Sequence, residues 1–228
     1  MNRVKLIQLL LLIPLLNYGQ LKVNNAVIKK YENAFNKLKL ADQQAINQQR
    51  EKEEQFGFSV VTFFKIDTLN SEDIIHNNSF VVIEDLNSKI TSSRDSKEEQ
   101  SSYTPVVTLA TLQNDTLLLS IGGFFLEGII HKIYFGNVSS SYKEYFKYDS
   151  ILRLHLNDPK VSALIVPAKT KVFAISSLDF KPGTTIYGEV ELETDPYYTD
   201  AFGFKNNYIK KRLRYNYVFK VRVPKNST

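Results

Sequence analysis

Polar and apolar side chains alternate along most of the chain past Phe56, and this period of two constrains the fold more than any other feature. A period of two places successive side chains on opposite faces of a β-strand. About ten such runs are separated by turn-forming residues, the spacing typical of all-β folds. The sequence therefore predicts a mainly β domain over residues 56–228, an antiparallel β-sandwich or barrel of about ten strands.

Ten strands are predicted between these turn-forming residues. They are placed at Phe58–Ile66, Ser79–Leu86, Thr104–Leu112, Thr116–Ile121, Phe124–Phe135, Tyr145–Leu156, Val161–Val166, Lys171–Ser176, Thr185–Thr194 and Ile209–Val223. Gln113-Asn114-Asp115 predicts a hairpin turn, and a short turn is expected at Ala168-Lys169-Thr170. Residues 87–102 are rich in Ser and charge, which predicts a long solvated loop.

Residues 21–55 are predicted to form an N-terminal helix, because Lys22–Gln55 contains neither Gly nor Pro. Apolar residues recur there in steps of three and four, at Val27, Tyr31, Ala34, Leu38, Ala41 and Ala45. This stripe favours a helix laid on the sheet. A coiled-coil seam is the alternative, but Ala at several seam positions would make a weak zipper.

The first twenty residues have the layout of a secretory signal peptide. Arg3 and Lys5 precede the apolar run Leu6–Leu16, and small Gly19 follows, so cleavage is expected after Gly19 or Gln20. The apolar run is too short to cross a bilayer of about 30 Å as a helix. The sequence therefore predicts an exported protein, periplasmic or extracellular, with no transmembrane anchor.

Two bulk properties narrow the function. The chain has no Cys, which excludes disulfides, thiol nucleophiles and thiolate metal sites. A net charge of +5 over 228 residues is too small to predict a nucleic-acid partner. An outer-membrane barrel is an alternative on strand length and aromatic content, but the polar tail Pro224–Thr228 and the long helical segment fit that class poorly.

The segment 195–204 carries the candidate ligand-binding residues. Four aromatic side chains and two aspartates cluster between two predicted strands. Aromatic faces at the rim of a sheet can stack on sugar rings or enter a pocket on a partner, and carboxylates can bind hydroxyl groups. The predicted contact residues are Tyr197, Tyr198, Phe202, Phe204, Asp195 and Asp200. The ligand is unknown, with carbohydrate and protein as the candidate classes.

Three carboxylates, those of Glu189, Glu191 and Glu193, share one face of a predicted strand. A carboxylate pair of this kind could hydrolyse glycosides, and an oxygen cage could hold calcium. Four basic residues share one face of the last predicted strand: Arg212, Arg214, Lys220 and Arg222. A surface ladder of acids against bases is therefore the favoured interpretation.

No catalytic, metal or cofactor motif is evident. His76, His131 and His155 have no metal-ligand spacing and are expected at the surface or rim. The sequence thus favours an exported, non-enzymatic binding or interaction module without a cofactor and of unknown oligomeric state. One alternative is a glycan hydrolase that uses two carboxylates from Glu189, Glu191, Glu193, Asp195 and Asp200. The other is a structural protein that assembles through its N-terminal helix.

Overall fold

The computed structural model describes residues 19–56, 77–87, 103–122, 127–145, 152–200 and 208–224. The predicted strand Phe58–Ile66, residues 1–18 of the predicted signal peptide and residues 88–102 of the predicted loop lie outside these ranges. The described helices are α1 (Ala26–Asn36) and α2 (Leu40–Phe56). The described strands are β1 (Gly19–Gln20), β2 (Lys22–Val23), β3 (Asn78–Asp85), β4 (Thr104–Gln113), β5 (Thr116–Gly122), β6 (Glu127–Tyr134), β7 (Asn137–Tyr145), β8 (Ala163–Ile175), β9 (Thr185–Thr194), β10 (Tyr197–Asp200), β11 (Tyr208–Lys211) and β12 (Leu213–Arg222).

Eight of these strands form a ring of antiparallel pairs. The order around it is β7-β6-β5-β4-β3-β12-β9-β8, and β8 returns to β7. The closing pair joins Ser140–Tyr145 to Ala163–Ala168. The prediction of a mainly β fold is confirmed, and this closing pair makes the sheet a barrel.

The first described residues fill a gap where β7 and β8 separate. At one end of the barrel β7 pairs with β1, whereas β8 pairs in parallel with β2. Leu21 lies between these two short strands and packs against the barrel core. The predicted helix therefore starts at Ala26 instead of Lys22, because the preceding residues are needed to complete the sheet.

The barrel interior is filled by apolar side chains from alternate positions of the ring strands. The largest of those that are almost fully buried include Leu117, Leu119, Ile129, Ile133, Tyr142, Phe173, Ile175, Tyr217 and Phe219. Gly188 faces inward among them, and a Cβ atom built there would lie 2.2 Å from the Phe219 ring. Glycine at this position therefore makes the space that the Phe219 ring occupies.

Helix α1 lies on the outer face of β3, β12 and β9. Its buried side chains include Tyr31 and Ala34, and with Leu38 just beyond it they pack on Phe80 and Val218. This confirms the prediction of a helix laid on the sheet. The predicted single helix is wrong, however, because residues 37–39 break it and leave Ala41 and Ala45 exposed. The Gln43 side chain donates to the carbonyls of Asn36 and Leu38 at this break.

Two strand predictions are also wrong. The expected turn at 168–170 is instead the middle of β8, which runs unbroken for 13 residues with a bulge between Thr170 and Val172. Polar residues there face partners: Lys169 pairs with Glu193 in the ladder, and Thr170 contacts the Ser140 hydroxyl. The end of the predicted strand Tyr145–Leu156 bends after Arg153 into the turn predicted at Asn157-Asp158-Pro159.

Gly188→Ala should destabilise the barrel by about 2 kcal/mol, because the new methyl group must displace the Phe219 ring in a packed core. Phe219→Leu removes the ring atoms that the methyl group would meet. Denaturant unfolding of both single variants and the double variant should show a double-variant loss well below the sum of the two single losses. Strictly additive losses would contradict the assigned contact.

Candidate functional site

The predicted aromatic segment forms a small hairpin, in which β10 pairs with β11. Tyr197 is fully buried in the barrel core. Its hydroxyl donates to the Glu144 carboxylate at 2.6 Å, and the Tyr142 hydroxyl donates to the same oxygen at 2.9 Å. Burial and this carboxylate raise the pKa of the Tyr197 hydroxyl far above its usual range. Tyr197 therefore anchors the hairpin to β7 and is not exposed to solvent.

The other predicted contact residues occupy different positions. Tyr198 is half-buried, and its backbone exchanges hydrogen bonds of 2.9 and 3.0 Å with Arg153. Asp195 is exposed and donates its backbone N–H to the Pro167 carbonyl. Asp200 ends β10, whereas Phe202 and Phe204 lie outside the described residues. The structure thus places several of the predicted contact residues in or beside one hairpin, among them Asp195, Tyr197 and Tyr198. The Tyr197 side chain is inaccessible to solvent.

The carboxylates of β9 lie on the outside of the barrel among basic side chains. Glu193 is paired with Lys171, with Arg212 at 2.9 Å and with Arg214 at 2.8 Å. Hydrogen bonds from Lys171 and Arg214 hold the pKa of Glu193 at about 2, well below its usual value. Glu189 pairs with Lys30 of α1 at 2.6 Å. The predicted ladder is thus present in part: Glu193 meets Arg214 of the last strand, whereas Glu189 and Glu191 lie opposite Val218 and Asn216 and take their bases from α1 and β8.

His131 lies inside the barrel, so its expected position at the surface or rim is wrong. Its Nε2 atom is hydrogen-bonded to the Tyr217 hydroxyl on the opposite wall, and its Nδ1 atom lies 2.7 Å from the Ser140 hydroxyl. Burial lowers the pKa of His131 from 6.5 to about 3, which keeps the imidazole neutral. The network crosses the interior and occupies space that a ligand would need. His155, by contrast, is exposed and contacts Asp158.

An open cleft of about 690 Å³ lies where the β4–β5 turn, the β6–β7 turn and the loop 176–184 come together. This end of the barrel is called the turn end, and the cleft the turn-end cleft. Its lining is Leu112, Asp115, Phe135, Gly136, Leu178, Asp179, Phe180, Lys181 and Pro182. Most of these side chains are apolar, with two carboxylates and one ammonium group among them.

Phe135 is the most unusual residue of the turn-end cleft. Its side chain is 75% exposed, and its backbone has a φ of +47°, in the left-handed region. It begins a two-residue turn with Gly136, whose φ is +75°. Such turns favour Asn or Gly at their first position, and a left-handed non-glycine residue costs about 1–2 kcal/mol. Neither solvation nor turn geometry explains a phenylalanine at this position.

The loop 176–184 forms the other wall of the cleft and is well anchored. Phe180 packs against the barrel core and also lines the cleft. The Gly183 N–H donates to the Val223 carbonyl at 2.8 Å, and the Thr184 N–H donates to the Lys181 carbonyl. Asp179 accepts the Lys181 N–H and pairs with the Lys181 ammonium group at 3.3 Å. The wall is thus held by hydrogen bonds at both its middle and its end.

Within the described ranges there is neither a metal site nor a membrane-spanning helix. No group of three His, Asp or Glu side chains within them is arranged to hold a metal ion. Neither helix combines the length and apolar character needed to cross a membrane.

No known protein family, curated protein or solved structure matches this chain. The geometry of the turn-end cleft is therefore the main evidence for function.

Sequence reasoning missed the cleft, although two signals were present. The sequence carries turn signals at Gly136-Asn137 and Pro182-Gly183, although the first turn consists of Phe135 and Gly136 and Asn137 begins β7. Exposed apolar residues lie in the first turn, at Phe135, and in the loop before the second, at Leu178. A bulky aromatic where a turn favours Asn is the clearer signal. That the two turns share one cleft depends on the ring order, which the sequence does not reveal.

The buried imidazole predicts a specific acid sensitivity. The unfolded chain takes up a proton on His131 near pH 6.5, but the folded barrel does so only near pH 3. Over this window the unfolded state binds more protons, so stability falls as pH falls, by up to about 1.4 kcal/mol per pH unit. Denaturant unfolding between pH 6.5 and 5 should show this slope in the wild type.

His131→Gln removes the titrating group and should flatten the slope in the same pH range. Glu193 contributes chiefly below its usual pKa of 4.5, so it does not mask the effect. An unchanged slope in His131→Gln would contradict a neutral, buried His131.

Proposed function

We propose that this protein is an exported, non-enzymatic binding module that takes its ligand in the turn-end cleft. The observation that carries the proposal is Phe135, a strained and solvent-exposed aromatic residue on the wall of an apolar cleft. Backbone strain of this kind persists where the surrounding structure imposes it, and it is concentrated at ligand sites. A ligand that covers the Phe135 ring would remove apolar surface from water and give the residue a function.

The size of the cleft supports a small ligand. A volume of about 690 Å³ lies inside the usual range of roughly 300–1,000 Å³ for small-molecule sites. Each Å² of exposed apolar surface that a ligand covers contributes about 25 cal/mol of favourable free energy to binding. Phe135, Phe180 and Leu178 supply that area on facing walls. The barrel interior offers less, because the His131–Tyr217 hydrogen bond crosses it.

Export is proposed from the first twenty residues, with their basic start, short apolar run and small Gly19. The absence of Cys means that oxidation after export would not alter the fold through disulfides.

The two alternative functions have less support. A glycan hydrolase needs two carboxylates facing each other across a cleft, whereas Glu189 and Glu193 lie on an outer face and are paired with bases. Assembly through the N-terminal helix needs a free apolar face, whereas Tyr31 and Ala34 of α1 are buried against the sheet.

Phe135→Asn should raise stability and weaken binding together. Asn tolerates a positive φ and is favoured at this turn position, so the free energy of unfolding should rise by about 1 kcal/mol. The neutral probe 2-phenylethanol should bind wild type with a Kd on the order of 1 mM. In ¹H–¹⁵N NMR, adding the probe should change the chemical shifts only of the amides of Leu112, Asp115, Phe135, Gly136 and 178–181. These changes should be largely absent in Phe135→Asn.

Ile165→Thr is the matched control. Ile165 is also a highly exposed apolar residue, but it lies on the outer face of β8, away from the cleft. Its replacement should leave the probe shifts unchanged. Shifts that map elsewhere, or that survive in Phe135→Asn, would refute the turn-end cleft as the binding site.

A further inference from the structure

The two carboxylates of the turn-end cleft differ in whether a cation is paired with them. Asp179 is largely neutralised by Lys181, which approaches it through both its ammonium group and its backbone N–H. Asp115 forms no ion pair or side-chain hydrogen bond with any residue in the described ranges. Its backbone φ of +61° holds it in the β4–β5 turn. Among the described residues, therefore, Asp115 is the carboxylate of the cleft that has no paired cation.

This local negative charge contrasts with the whole chain. The protein carries a net charge of +5, but the cleft lining has two aspartates and one lysine. Apolar walls of low dielectric strengthen the field of a charge beside them. The charge of this cleft thus favours a cation, in contrast to the net charge of the whole chain.

The aromatic lining favours the same charge. Phe135 and Phe180 both line the cleft, and the faces of aromatic rings attract ammonium and guanidinium groups electrostatically. An aromatic wall with a nearby carboxylate is the arrangement by which proteins recognise organic cations. An anionic ligand would meet both Asp115 and the negative ring faces.

We infer that the turn-end cleft selects a small organic cation, in which an apolar ring or chain carries an ammonium or guanidinium group. The apolar part packs on Phe135 and Leu178, and the cationic group faces Asp115. This inference rests on the proposed function and specifies its ligand class. It assigns to Asp115 the choice of charge and to Phe135 most of the apolar contact.

Three probes that share a phenyl ring test the inference on the full chain. They are 2-phenylethylammonium, neutral 2-phenylethanol and anionic 3-phenylpropionate, titrated separately at low salt in ¹H–¹⁵N NMR. The cation should bind about threefold tighter than the alcohol, since partly exposed ion pairs contribute modestly. The anion should bind more weakly than the alcohol. Added salt should weaken the binding of the cation and leave the binding of the alcohol unchanged.

Asp115→Asn should abolish the advantage of the cation and leave the affinity for the alcohol unchanged. Asn also tolerates a positive φ, so the turn should keep its shape. Asp195→Asn is the control, because Asp195 is exposed and lies outside the cleft lining. It should leave all three affinities unchanged.

The outcomes separate the two proposals. If the alcohol binds in the cleft but the cation has no advantage, the ligand class is wrong and the binding site stands. If the cation keeps its advantage in Asp115→Asn, the assignment of charge selection to Asp115 is wrong. If none of the probes shifts the cleft amides, both the proposed function and the ligand class are overturned.

Discussion

The antiparallel pairing of β7 with β8 is the interaction on which the rest of this structure depends. It turns an open sheet into a ring, and a ring has an inside that must be filled. Only then do β6 and β12 face each other, which is how His131 reaches the hydroxyl of Tyr217. The pairing of β7 with β8 does not reach the turn end of the barrel. There the two strands separate, and the N-terminal residues fill the gap between them.

The closed ring places any accessible site at its ends or on its outer face. The interior is occupied by apolar side chains and by hydrogen-bonded polar groups such as His131 with Tyr217 and Tyr197 with Glu144. Part of the outer face is covered by α1 or by ion pairs. The two hairpin turns at the turn end use the same backbone shape with different residues. Asn114 and Asp115 suit a left-handed turn, whereas Phe135 does not. The cleft thus combines a favourable turn with an unfavourable one, and the unfavourable one holds the exposed ring.

Local periodicity was enough to predict the strand class, and for Thr185–Thr194 even its two ends. It failed where distant residues decide the outcome. The 168–170 region looks like a turn until Glu193 and Ser140 are placed beside it. Tyr197 looks accessible in a polar, aromatic segment, but Glu144 from β7 draws it into the core. His131 stands beside Lys132 in the sequence, but the closed ring brings Tyr217 and Phe173 from distant strands against its imidazole. The cleft depends on ring order, for which a single sequence holds no direct signal.

The gap-filling N-terminal residues also affect how the molecule forms. Lys22 and Val23, which lie beyond the predicted cleavage point, pair with Ala174 and Ile175 of β8, so these hydrogen bonds cannot form until most of the ring exists. Contacts so far apart in sequence slow folding, because the entropy of closing the loop must be overcome first. The start of the polypeptide is thus among the last parts to settle. A chain that emerges amino-terminus first could not form these hydrogen bonds until residues 174 and 175 have emerged.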